Sequence, residues 1–130
     1  MTATGTPPSV DHRAPAKPRR GFETWSWFFM RLSGLVLLFL ALLHFAITHV
    51  VNDVVDTDAA FVGRRWDNVG WRLFDWTLLA LALAHGLIGL RWIIDDYVRP
   101  PGKRRVVKGA LYGLTGALFV LGTFTIVTFD

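Results

Sequence analysis

His85 is the side chain in this sequence with the most chemical potential. It stands near the middle of an apolar run, Phe74 to Ile94, that is interrupted by Asp75 near one end and Arg91 near the other. An ionisable group at that depth in a helix long enough to span a bilayer is costly and calls for a partner. Two readings follow. A neutral imidazole can hydrogen-bond to a neighbouring helix, or it can serve as an axial ligand to haem iron. Ala82 and Gly89, three residues before and four after, fall on the same helical face and leave room for a flat porphyrin. Trp92 and Asp96 continue that face, within about 20° of His85 on an ideal wheel. Asp96 and Tyr97 then stand together at the end of the histidine's helix. A carboxylate and a phenol can donate and relay protons, as reduction of a quinone carbonyl requires. The plainer reading of the pair is a helix end marked by a solvated carboxylate and an interfacial aromatic ring.

Two further histidines lie on the preceding apolar run. His44 is near its middle and is a rival haem ligand; His49 is near its far end, at the depth of the interface. His12 lies in the N-terminal tail and has no role here. Two intramembrane histidines also raise the possibility of a haem held wholly within this chain.

The elements that must position these residues are three transmembrane helices. The apolar blocks Leu32 to Val51, Phe74 to Ile94 and Gly109 to Phe129 are each long enough, at about 1.5 Å per residue, to cross a hydrocarbon core of ~30 Å. Expected helices cover about 28–51, 74–95 and 106–128, within a membrane domain of residues 25–130. Residues 1–24 read as a disordered basic tail without the apolar core of a secretory signal. Trp25, Trp27, Phe28 and Phe29 precede the first block, and Trp71, Trp76, Trp92 and Tyr97 flank the second, as interfacial aromatic belts do. Pro100-Pro101-Gly102 stops the second helix. The first loop has room for an amphipathic segment whose position the sequence does not fix. Gly109, Gly113, Gly116 and Ala117 on helix three, with Ala82 and Gly86 on helix two, have the small-residue spacing that lets helices approach closely.

Arg13, Lys17, Arg19 and Arg20 crowd the tail, and Arg99, Lys103, Arg104, Arg105 and Lys108 the second loop. The first loop balances Arg64, Arg65 and Arg72 with Asp53, Asp56, Asp58 and Asp67. By the positive-inside rule the tail and second loop are cytoplasmic and the C-terminus is outside. Hydrophobic residues make up 52% of the 130 and the formal net charge is +4. Because the basic residues flank apolar blocks, that charge points to anionic lipid and not to nucleic acid. The absence of cysteine excludes disulfides, thiolate metal sites and iron–sulfur ligation by this chain. No phosphate loop or catalytic triad is present. The expected class is an all-α membrane protein, its three helices forming part of a multi-subunit bundle.

His85, ten residues and then Asp96-Tyr97, on the second of three helices, resembles the smaller membrane-anchor (D-type) subunit of succinate dehydrogenase, over roughly Trp25 to Asp130. The resemblance implies that His85 ligates a b-type haem shared with a second anchor subunit, a cytochrome b, which supplies the other ligand. It implies that Tyr97 hydrogen-bonds ubiquinone or menaquinone and that Asp96 lines the same region. Arg31-Leu32-Ser33-Gly34 is similar to Arg-x-Ser-Gly segments in the first helices of the family's anchors. Arg31 and Ser33 are thereby quinone-binding candidates, and Arg31 and Arg91 candidates for a haem propionate; Arg31 can equally snorkel to lipid phosphate. The implied partners are a flavoprotein subunit and an iron–sulfur subunit, which oxidise succinate, and the implied location is a bacterial cytoplasmic membrane. A cytochrome b subunit of another quinone-linked dehydrogenase, a haem-free structural anchor and a small transporter protomer are the alternatives.

Overall fold

The computed structural model of the protein describes residues 21–129. The expected tail, Met1 to Arg20 with His12, and the terminal Asp130 lie outside the described residues. Helix α1 runs Phe22–Phe45 and passes into a π-helical stretch, Ala46–Val51. A short 3-10 turn, Val54–Asp56, leads to α2, Ala59–Trp66. Helices α3, Val69–Tyr97, and α4, Pro101–Thr128, complete the chain. Three helical spans, Phe22–Val51, Val69–Tyr97 and Pro101–Thr128, are long and apolar enough to cross a membrane. The protein is an all-α, multi-pass membrane protein.

The helices outrun the apolar blocks that announce them. Helix α1 begins at Phe22, so Phe22, Glu23 and Thr24, expected in the tail, form its first turn. Helix α3 extends back to Val69 because the Asn68 side chain accepts from the Gly70 amide at 2.8 Å and caps it. Helix α4 starts at Pro101, not after a longer turn, because proline at the first helical position loses no intrahelical bond. The connection between α3 and α4 is thereby only Val98, Arg99 and Pro100. The amphipathic segment of the first loop is α2, capped by Asp58, whose carboxylate accepts from the Phe61 amide at 2.8 Å. Asp53 caps the 3-10 turn in the same way. Two of the loop's acidic residues thus serve helix starts. At the end of α1, Thr48 Oγ1 donates to the His44 carbonyl at 2.9 Å and Asn52 Nδ2 to the Ile47 carbonyl at 2.6 Å. These side-chain donors occupy carbonyls of the α-helical ladder, where the helix widens to the π pattern.

Helix α3 is central, with α1 packed on one side and α4 on the other. Ile126 is the one apolar residue among the described residues that is buried, while Leu35, Leu38, Phe39, Leu42, Leu121 and Phe124 are all exposed. Such a surface is stable when lipid or a partner helix is the solvent. The small residues work differently from the spacing argument. Gly86, Gly109, Gly113 and Gly116 have open space where a Cβ would sit. Close approach of α3 and α4 occurs instead at Gly122, where a Cβ would meet Leu79 Cδ2 at 2.6 Å. The aligned glycines therefore face away from this chain's own bundle.

Candidate functional site

The polar side chains gather at three levels. At mid-depth, α3 presents His85 to α1. Its Nδ1 is 2.8 Å from Ser33 Oγ, and Ser33 is only 2% exposed. The ring packs against Gly34, where a Cβ would lie 3.4 Å from His85 Cε1, at contact distance. Ser33 Oγ also reaches the Met30 carbonyl at 3.5 Å. A consistent arrangement has the ring donating Nδ1–H to Ser33 and the hydroxyl donating on to Met30, which leaves the Nε2 lone pair available. Nε2 has no hydrogen-bond partner among the described residues. The neighbours are not arranged as the helical wheel suggested. The space above Gly89 is taken by the Met30 methyl, at 3.4 Å from a notional Cβ. Ala82 lines a groove toward the other end of the bundle. Ser33, expected near a quinone, has its hydroxyl engaged by the imidazole.

The second level is the proximal end, where α1 and α4 begin and α3 ends. Tyr97 is 82% exposed and Asp96 is also exposed; neither side chain has a polar partner among the described residues. The Arg31 guanidinium lies 3.6 Å over the Trp27 ring and is exposed. Arg91 is already engaged: it donates to Glu23 at 3.0 Å, stacks on Phe22 at 4.4 Å and stands 4.0 Å from Asp95. Asp95, which nothing in the sequence distinguishes from Asp96, is the carboxylate with partners here. Lys108 Nζ reaches its two oxygens at 2.6 and 2.7 Å, and Arg104 Nε lies at 3.8 Å.

The third level is the distal end. Asp75 accepts from Arg65 at 2.8 Å and from Trp66 Nε1 at 2.8 Å, and lies 3.2 Å from His44 Nδ1. The Asp75 and Arg65 side chains are 11% and 9% exposed. This carboxylate thereby pins α2 onto α1 and α3. The sequence shows Asp75 as an interruption of an apolar run, but two of its three partners, Arg65 and Trp66, come from a helix too short to announce itself. His44, Thr48, His49 and Ala82 line an open groove of about 560 Å³ beside it. His49 stacks on Phe45 at 4.7 Å and lies 2.7 Å from Thr48 Oγ1.

His44 and His85 are not brought together. His44 contacts Asp75, ten residues from His85, or about 15 Å along α3. Two ligands of one iron cannot be that far apart, so the geometry offers no haem held by both. No group of three or more His, Asp or Glu side chains converges among the described residues. His85 is therefore a single imidazole donor, its ring oriented through Nδ1, and this suits one axial position with the second supplied from outside.

No curated protein sequence matches the chain. Residues 7–128 match the family described as succinate dehydrogenase/fumarate reductase transmembrane subunit. With that match running through all three spanning helices, the chain belongs to the transmembrane subunit family of succinate dehydrogenase and fumarate reductase.

Proposed function

We propose that this chain is the D-type anchor of a succinate dehydrogenase, ligating haem b through His85 and facing a quinone with Asp96 and Tyr97. The observation that carries the reading is the imidazole of His85. Nδ1 is tied to buried Ser33, Nε2 has no partner among the described residues, and the ring packs against the bare backbone of Gly34 on α1. A ligating histidine needs this arrangement, with one nitrogen oriented by a hydrogen bond and the other left to the metal. Bound there, haem b supplies a one-electron acceptor beside the quinone site. The second ligand comes from a second anchor subunit, a cytochrome b, packed on the exposed helix faces.

The proximal end is the cytoplasmic side, because its loop carries the greater share of Lys and Arg. The chain sits in a bacterial cytoplasmic membrane with its C-terminus outside. Flavoprotein and iron–sulfur subunits dock on the cytoplasmic end, oxidise succinate and deliver electrons. Ubiquinone or menaquinone takes two electrons and two protons to become quinol. Tyr97 donates a hydrogen bond to a quinone carbonyl, Asp96 lines the same region with a polar contact, and Arg31 borders the same pocket. Arg31 also serves a haem propionate, as does Arg91 where it can leave Glu23. The test is purification of the native complex with this chain tagged. A reduced b-type band together with succinate-dependent quinone reduction is expected. Quinone reduction without that band would leave a haem-free anchor; no succinate-oxidising partner at all would overturn the assignment.

A further inference from the structure

Two neighbouring carboxylates end α3, and their surroundings are opposite. Asp96 is exposed without a polar partner among the described residues, whereas Asp95 is held by Lys108 on both oxygens and flanked by Arg104 and Arg91. Arg104 and Lys108 are one turn apart on α4, and Arg91 is paired in turn with Glu23 in the first turn of α1. The chain of ion pairs Lys108–Asp95–Arg91–Glu23 therefore joins the ends of all three spanning helices. The need for it follows from electrostatics. Asp95 and Asp96 sit at the negative end of the α3 dipole, and the last turn contains no basic residue of its own. The compensating charge is supplied from α4.

We infer that Asp95 is a positioning residue for the quinone-facing pair, an inference that rests on the reading above. Successive helical residues are about 100° apart, so pinning Asp95 against α4 turns Asp96 about 100° and Tyr97 about 200° from that contact. Tyr97 is the last helical residue, followed at once by extended Val98 and a connection of three residues. No capping glycine fixes this terminus, and helix ends fray unless held. The direction of the Tyr97 hydroxyl is set by the Asp95 tie to α4, backed by the Arg91 tie to α1.

The experiment uses the whole complex in native membranes, with Asp95→Asn, Lys108→Met and the charge-conserving Asp95→Glu. Kinetics are measured with short-chain ubiquinone and menaquinone analogues, alongside succinate-driven reduction of a soluble dye and the yield of assembled complex. Asp95→Asn and Lys108→Met should each raise KM for the quinone analogue about three- to tenfold, with kcat changed by less than about twofold. Dye reduction and assembly should remain at wild-type levels, and Asp95→Glu, which keeps the carboxylate, should keep KM near wild type. Unchanged KM in both Asp95→Asn and Lys108→Met overturns the inference. So does a KM change that appears only with lost assembly and appears equally in Asp95→Glu, because that is the mark of a purely structural tie. Tyr97→Phe is run beside them. If it leaves quinone reduction intact, the quinone reading itself fails, whatever Asp95 does.

Discussion

Replacing Ser33 by alanine isolates the contact on which the imidazole's orientation depends. The 2.8 Å contact between Ser33 Oγ and His85 Nδ1 lies at a residue 2% exposed, with Gly34 against the ring. Alanine fits the space, so packing is preserved and only the hydrogen-bond partner is removed. A buried donor left without a partner costs about 1–3 kcal/mol. If His85 is an iron ligand, that cost falls on the bound state, and loss of an outer-shell partner lowers metal-site affinity by about 10- to 100-fold. At ~1.4 kcal/mol per tenfold the two figures agree. The assay is haem retention in purified Ser33→Ala complex under increasing detergent, with the low-spin ferric signal read by electron paramagnetic resonance. Haem should be lost at lower detergent, and the g-values should shift because the ring is free to rotate. Wild-type retention and unchanged g-values would show that the contact does not support a ligand. A raised KM for quinone at normal haem content would instead place Ser33 in the quinone pocket.

Tyr97→Phe removes a donor to a developing negative charge and should cost roughly 2–4 kcal/mol of barrier. That slows quinone reduction by one to three orders of magnitude, at about 1.4 kcal/mol per tenfold, while reduction of a soluble dye persists; unchanged quinone turnover refutes the role. Asp75→Leu strips Arg65, 9% exposed, and Trp66 of their acceptor and should destabilise the subunit by about 3–5 kcal/mol, seen as a lower melting temperature of the complex. A melting temperature equal to wild type shows that α2 is not held by this contact. For topology, cysteines introduced singly at Thr4, Ala59 and Lys103 are treated with an impermeant thiol reagent in sealed cells; labelling should reach Ala59→Cys alone, and labelling of Lys103→Cys would reverse the orientation.

The spanning helices are legible in the sequence because each is an uninterrupted apolar run, and length alone then decides between soluble and membrane helix. Their ends are less legible because caps and ion pairs set them: Asn68 for α3, Pro101 for α4, and Glu23 with Arg91 at the start of α1. Helix α2 has only eight residues, too few for a periodic signal, and its place is fixed by Asp75 from another helix. At the site, the depth of His85 and its spacing from Asp96-Tyr97 can be read directly. Its partner cannot, since a wheel gives the direction of a residue on its own helix and nothing about what the next helix brings. Gly89 lies on the expected face, yet the space beside it is filled by Met30, and the glycine that packs against the ring is Gly34 on α1. Asp95 and Asp96 are alike in sequence and are separated only by Lys108 and Arg104 arriving from α4.

The most direct measurement of the central claim is the ligation state of the iron in His85→Ala, read by electron paramagnetic resonance and optical spectra of the intact complex. His44→Ala is measured in parallel, because His44 is the rival ligand and lies about 15 Å further along the bundle. In His85→Ala the bis-histidine low-spin signal should become high-spin or disappear, and porphyrin burial with the partner's histidine can retain the haem itself. In His44→Ala the low-spin signal should remain as in wild type. A reversed pattern would move the ligand to α1, and an unchanged spectrum in both variants would show that this chain does not ligate the haem.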